Sequence, residues 1–199
     1  MKIAVLTKAI PSYESSIRVD SSGSWIDESI VNYVVNESDS YALEEALQIK
    51  ESLGEGSEVV VVTLGSEANT SKVIKDGLAK GADRGIFIKN ESSTTDPLTV
   101  AKIFADNLKS ENFDLILSGL QSDDLGSGQT GVLIGELLEM STATLAIETQ
   151  VEGDKIKVKR ELESGWFQWV TLPFPASISI QSGINLSLIH ISEPTRPLD

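Results

Sequence analysis

Short apolar runs alternate with longer amphipathic segments along the chain as far as residue 138. Four of the runs are rich in β-branched and aliphatic residues, as is typical of strands buried on both faces of a sheet: residues 3–7, 58–64, 84–88 and 113–117. The remaining segments place apolar side chains at helical spacing: residues 41–53, 69–79, 97–108 and 132–138. This alternation predicts an α/β domain with a parallel sheet and helices on both of its faces.

The pattern changes after Met140, where strand-like segments follow one another with only turns between them. These segments cover residues 143–151, 155–163, 167–172 and 177–180. They predict a β-rich C-terminal extension, which either continues the sheet or forms a small subdomain.

The last residues do not fit this pattern. Residues 186–196 resemble the in-frame translation of an adapter that is used to build sequencing libraries. We therefore interpret residues 1–185 as the folded domain and residues 186–199 as a non-native tail.

Local signals indicate where several elements begin and end. Residues 8–15 are predicted to form a polar loop, and residues 17–26 a short hairpin. Residues 36–40 supply candidate N-caps for the first helix, which is predicted to span residues 41–53 and to end at Gly54. Asp96 followed by Pro97 predicts the start of a later helix.

A glycine-rich loop joins the fourth predicted strand to the fourth predicted helix. It runs from Gly119 to Gly131 and contains two further glycines, Gly126 and Gly128. Free backbone N–H groups at the start of the helix could bind a phosphate there, and glycines let a ligand approach the backbone closely. Four side chains add hydrogen-bonding groups: Ser122, Ser127, Gln129 and Thr130. Ordinary βα loops use the same turn residues, so loop chemistry alone leaves both interpretations open.

Ligands of open parallel sheets bind beyond the carboxyl ends of the strands. Several segments end predicted strands or open predicted helices, and we expect them to converge on one crevice: Leu6, residues 36–39, Leu64 and residues 119–130. Gly126, Gly128 and Gly131 also match the G-x-G-x-x-G fingerprint of dinucleotide-binding enzymes. That fingerprint belongs in the turn directly after the first strand, whereas several strands precede it here.

Acidic residues outnumber basic ones by 30 to 16, and the formal net charge of −14 argues against nucleic acid or an anionic membrane as a partner. The absence of cysteine excludes disulfides and Cys-ligated metals, and the one histidine, His190, lies in the adapter-like segment. The sequence therefore predicts no catalytic acid–base group and no metal site. It also has no run suited to membrane insertion and enters its first strand at once, so we expect a cytoplasmic protein.

Several patches, taken with their order and spacing, resemble the β subunit of electron transfer flavoprotein over residues 1–185. They are residues 42–46 (ALEEA), 81–84 (GADR), 119–131 (GLQSDD through GQTG) and 156–165 (IKVKRELESG), with LPFPA following at 172–176. The resemblance implies an adenine-nucleotide-binding, Rossmann-like α/β fold. Glu37 departs from the family pattern, because relatives often have proline at this position.

The resemblance also implies the cofactors and partners. Members of the family pair with an α subunit and carry electrons, in fatty acid oxidation among other processes, from flavin dehydrogenases to a quinone oxidoreductase of the respiratory chain. The α subunit binds most of the FAD. The β subunit holds a structural AMP or, in electron-bifurcating relatives, a second FAD, and residues 128–131 fit the AMP-holding kind better.

Matching positions carry the family's site onto this chain. The implied cofactor site consists of Leu6, Asn36, Asp39, Leu64, Gly119, Gln121, Ser122, Asp123, Asp124, Leu125, Gly126, Ser127, Gly128, Gln129 and Thr130. Tyr13 resembles a β-subunit aromatic residue that approaches the partner's flavin. Arg160 and Glu161 resemble charged residues near the subunit interface.

The resemblance favours an electron-carrier subunit without catalytic residues of its own. An ATP-binding stress or sensor protein of similar α/β design is an alternative, because it could use the same loop. A Rossmann NAD(P) dehydrogenase is a less favoured alternative. An α-subunit gene beside the gene for this chain would favour the electron carrier over both alternatives.

Overall fold

A large β-sheet forms the centre of the computed structural model, which describes residues 1–90 and 96–184. The strands in these residues are β1 (Lys2–Thr7), β2 (Ala9–Pro11), β3 (Tyr33–Val35), β4 (Glu58–Gly65), β5 (Arg84–Lys89), β6 (Leu115–Gly119), β7 (Ser141–Glu152), β8 (Lys155–Glu161), β9 (Phe167–Pro173) and β10 (Ala176–Ile180). Eight of them form the main sheet in the order β5-β4-β1-β6-β10-β7-β8-β9, and β2 pairs with β3 in a separate sheet. The main sheet is parallel from β5 to β7, and β8 and β9 continue it in antiparallel pairing.

Helices cover both faces of this sheet. They are α1 (Glu37–Leu53), α2 (Glu67–Ala79), α3 (Pro97–Leu108) and α4 (Thr130–Leu137). Each face of the sheet has its own apolar core, and successive residues of β1 contribute to them in turn. Ile3 and Val5 belong to the core under α1, whereas Ala4 and Leu6 belong to the core under α3 and α4. Burial on both faces explains why the strand sequences are continuously apolar. The predicted α/β fold, with a parallel sheet and helices on both faces, is confirmed.

The chain changes direction across the sheet at β1. From β1 it proceeds to β4 and β5 on one side, and it then returns to β6 on the other side of β1. Open α/β sheets bind ligands beyond the carboxyl ends of the strands at such a switch point. The carboxyl ends of β1 and β6 therefore flank the position where a ligand site is expected.

The β-rich C-terminal extension continues the main sheet, and the alternative of a separate subdomain is wrong. Its last strand, β10, inserts between β6 and β7 near the centre of the sheet. Every residue of β10 is buried, and its three apolar side chains, Ala176, Ile178 and Ile180, belong to the core under α1. The antiparallel hairpin of β8 and β9 forms one edge of the sheet.

Several predicted boundaries need correction. Helix α1 begins at Glu37 rather than at residue 41, because the polar residues at 38–40 lie in its first turn and not before it. The predicted polar loop at residues 8–15 contains β2, which forms because Ile10 is buried and β3 offers a partner strand. The hairpin predicted at residues 17–26 is present as a bridge between Val19 and Ile26. The interpretation of residues 186–199 as a tail lies outside the described residues.

None of the helices in residues 1–90 and 96–184 combines the length and the apolar character needed to cross a membrane.

Candidate functional site

A cavity of about 220 Å³ lies at the switch point, and we call it the switch-point cleft. The carboxyl ends of β1, β4 and β6, the start of α1, part of α3 and the loop before α4 form its walls. Most of the predicted site residues line it: Leu6, Asn36, Asp39, Leu64, Gly119, Gln121, Ser122, Leu125, Ser127, Gly128, Gln129 and Thr130. The structure thus brings together segments that are far apart in the sequence.

The buried carboxylate of Asp39 joins the two strand ends that flank the cleft. Its Oδ2 accepts a hydrogen bond from the backbone N–H of Lys8 at 2.8 Å, and its Oδ1 accepts one from the backbone N–H of Gly119 at 3.0 Å. Burial raises the pKa of Asp39 to about 7, although these two N–H groups and the Asn36 side chain favour the charged form. One side chain of α1 therefore ties the start of that helix to the carboxyl ends of the neighbouring strands β1 and β6.

Asn36 and Ser38 attach the glycine-rich loop to the start of α1. The Asn36 Nδ2 donates to the Gln121 carbonyl oxygen at 3.0 Å, and its Oδ1 accepts from the Asp123 N–H at 3.0 Å. The Ser38 hydroxyl donates to the same Gln121 oxygen at 2.6 Å. Together with Asp39, these residues hold the walls of the cleft in place.

The close approach of β6 to α1 requires glycine at position 119. A Cβ there would collide with the Ser38 hydroxyl and would lie 2.8 Å from the Asp39 backbone nitrogen. Further along the loop, Gly128 has a φ of +62°, in the left-handed region that favours glycine. These two glycines allow the loop to leave β6 and to turn into α4.

The first N–H groups of α4 have no partners within the helix, as at the start of any α-helix. No side-chain hydrogen bond caps the helix at Gln129, and its first turn contains no acidic residue. The buried hydroxyl of Ser118 also lacks a partner among the described residues. The Ser118 hydroxyl lies directly beside Gly131, so close that a Cβ on this glycine would collide with it. A helix N-terminus with free N–H groups and a nearby hydroxyl is suited to an anion such as a phosphate.

Lys8 forms an ion pair with the loop at the cleft. Its Nζ contacts the two carboxylate oxygens of Asp124 at 2.6 and 2.8 Å and the Ser122 Oγ at 3.2 Å. The Asp124 carboxyl is partly buried, which by itself raises its pKa, but the hydrogen bonds from Lys8 and Ser122 lower the pKa overall. Asp124 is therefore charged at neutral pH and neutralises Lys8.

Apolar side chains form another wall of the cleft. They are Leu6, Leu64, Val100 and Phe104. An apolar wall opposite a row of N–H donors can accommodate a flat apolar group attached to a phosphate. The described residues contain no group of three or more histidine, cysteine or acidic side chains that could hold a metal ion.

Four of the predicted site residues are not among those that line the cleft: Tyr13, Asp123, Asp124 and Gly126. Tyr13 is 78% exposed, and a hydrogen bond with the Asp123 side chain raises its pKa. Asp124 acts on the cleft indirectly through Lys8, and Gly126 supplies a turn with a φ of +63°.

Sequence reasoning missed several residues that line the cleft, among them Lys8, Ser118, Val100 and Phe104. Lys8 and Ser118 directly follow predicted strands, and this position could have marked them as residues of a site at the strand ends. Val100 and Phe104 were predicted to face the core. Their contribution depends on where α3 crosses the sheet, and no local pattern in the sequence encodes that crossing.

We predict that Asp39 makes the stability of the protein depend on pH. With a pKa of about 7 in the folded state and an ordinary value of 3.8, Asp39 retains a proton on folding between these two pH values. Its contribution to stability therefore falls as the pH rises through this window and levels off above it. Between pH 5 and pH 8, wild-type protein should lose about 2 kcal/mol of unfolding free energy relative to Asp39→Asn, which lacks the titrating group.

Urea unfolding of both proteins at the two pH values checks this prediction. Taking the difference between the two proteins cancels the contributions of all groups that they share. An equal difference at pH 5 and pH 8 would show that Asp39 remains ionised over the whole range.

Comparisons with known proteins agree with this geometry. Residues 24–194 match the electron transfer flavoprotein domain. The chain is 42% identical over 185 residues to an electron transfer flavoprotein subunit beta from Bradyrhizobium diazoefficiens, covering 93% of this chain and 73% of that protein. The subunits beta from Methylophilus methylotrophus and Homo sapiens are 35% and 32% identical, each over 188 residues that cover 93% of this chain and 71% and 72% of those proteins. The chain therefore belongs to the electron transfer flavoprotein beta-subunit family.

Proposed function

We propose that this chain pairs with an electron transfer flavoprotein alpha subunit and holds one AMP molecule in the switch-point cleft. Membership of the family supports a role in electron transfer. The observation that carries the nucleotide proposal is the start of α4, which no side chain caps and which lies at the switch point beside the Ser118 hydroxyl, a group without a partner among the described residues.

The phosphate of AMP fits the start of α4. The backbone N–H groups of residues 127–130 and the Ser118 hydroxyl would bind it, and the helix dipole would add a favourable interaction with its charge. Such hydrogen bonds contribute on the order of 1 kcal/mol each. The buried hydroxyl of Ser118 would gain the partner that it lacks among the described residues.

The adenosine part fits the apolar wall formed by α3 and the strand ends. The side chains of Leu6, Leu64 and Phe104 would shield the flat base from water. AMP has no redox chemistry to supply, so its role here is structural. A ligand that binds only the folded chain adds to its stability in proportion to occupancy and affinity.

Electron transfer itself would use the FAD that the alpha subunit mostly holds. The chain would thus act as an electron-carrier subunit rather than as an enzyme with catalytic residues of its own. Electrons would pass from flavin dehydrogenases to a quinone oxidoreductase of the respiratory chain. Tyr13, which is 78% exposed, is free of the cleft and available to approach the partner's flavin. Family membership favours this proposal over an ATP-binding stress or sensor protein and over an NAD(P) dehydrogenase.

Replacing Ser118 by alanine should weaken AMP binding about fivefold, because the phosphate loses one hydrogen bond worth roughly 1 kcal/mol. Isothermal titration of AMP into the purified chain measures this change. Thr63→Val is the matched control, since the Thr63 hydroxyl is also buried without a partner but does not line the cleft. The same AMP affinity for Ser118→Ala and the control would contradict the placement of the phosphate, and no AMP binding to the wild-type chain would refute the proposal.

The chain alone should bind AMP but not retain FAD through gel filtration, because the alpha subunit is proposed to supply most FAD contacts. Adding a family alpha subunit should produce a complex with stoichiometric flavin absorbance. A bright yellow, stoichiometric flavoprotein obtained from this chain alone would instead indicate a second FAD in the cleft.

A further inference from the structure

The ion pair between Lys8 and Asp124 affects which nucleotides the cleft can bind. Lys8 is the only cationic side chain among the described residues that line the cleft. Its Nζ already contacts both carboxylate oxygens of Asp124, at 2.6 and 2.8 Å. The one cation at the cleft is therefore neutralised before any ligand arrives.

The other ionisable side chain among the described residues that line the cleft is the acidic Asp39, which can add only negative charge. A first phosphate can be bound by neutral N–H groups and the helix dipole at the start of α4. A second phosphate adds further negative charge and needs a donor set of its own. Because Lys8 is paired with Asp124, no described residue that lines the cleft provides an unneutralised cation for the second phosphate.

We infer that the Lys8–Asp124 ion pair makes the cleft select nucleoside monophosphates over diphosphates, because it withholds the only lining cation from a second phosphate. This inference rests on the proposed function, since it concerns the specificity of the same nucleotide site. Lys8 and Asp124 thus determine specificity, whereas the donors at α4 provide the binding of the first phosphate.

Partial burial and neighbouring hydrogen bonds stabilise the ion pair between Lys8 and Asp124 in the folded protein. The side chains of Lys8 and Asp124 are 38% and 25% exposed, so solvent screens them only in part. The Asp124 Oδ1 also accepts a hydrogen bond from the Leu125 N–H at 2.8 Å, and Ser122 contacts the Lys8 Nζ. These contacts orient the carboxylate towards Lys8.

Affinities for AMP and ADP, measured by isothermal titration, test the inference in four versions of this chain. They are the wild type, Asp124→Asn, Asp123→Asn and the double variant Lys8→Met with Asp124→Asn. Asparagine at position 124 keeps the oxygen that accepts from Leu125, so the loop should fold as before. Asp123→Asn makes the same change of charge one residue away, where no ion pair with Lys8 exists.

In Asp124→Asn the charge of Lys8 is no longer neutralised, so Lys8 should bind the second phosphate. The affinity for ADP relative to AMP should rise about tenfold, as expected for a hydrogen bond between charged groups. Asp123→Asn should leave the ratio as in the wild type. The double variant should lose the gain, because Lys8 itself provides it.

Two results would overturn the inference alone while AMP still binds. One is an unchanged ratio in Asp124→Asn, and the other is a gain that persists in the double variant, which would show that Asp124 merely repels the second phosphate. If the wild-type chain binds neither nucleotide, the proposed function is wrong and the inference falls with it. Circular dichroism of each variant distinguishes these results from a failure to fold.

Discussion

The organisation of the cleft depends on one buried carboxylate that bridges two strands. Asp39, in the first turn of α1, accepts hydrogen bonds from the backbone N–H groups that follow β1 and end β6. Both strands terminate at the switch point of the sheet, so this bridge holds the start of α1 against the strand ends where a ligand would bind. It also brings the backbone of β6 so close to α1 that only glycine fits at position 119.

The polar groups around the cleft divide into two sets with different tasks. Asn36, Ser38 and Asp39 direct their hydrogen bonds to the backbone of the strand ends and of the loop. By contrast, no side chain caps the start of α4, and the Ser118 hydroxyl has no hydrogen-bond partner among the described residues. Because unpaired buried polar groups cost free energy, this contrast locates the phosphate position that we propose at α4.

Much of this arrangement could be predicted from the sequence, and the rest depended on contacts between distant segments. The strands and the glycine-rich loop were predictable because apolar runs and glycines act locally, and the order of strands then placed their ends together. The roles of Asn36 and Asp39 could not be predicted in this way. Their positions suggested N-caps, whereas their hydrogen bonds reach residues 80 or more positions away in the sequence. The central position of β10 was also hidden, because local patterns do not specify which strand becomes its neighbour.

The central claim is that nucleotide binds at the start of α4 between the ends of β1 and β6. Amide chemical shifts in ¹⁵N-labelled protein, followed by NMR during titration with AMP, test it most directly. We expect the largest chemical-shift changes at residues 127–132 and smaller changes at Lys8 and Gly119. Saturable shifts confined to other parts of the protein, with residues 127–132 unchanged, would contradict it.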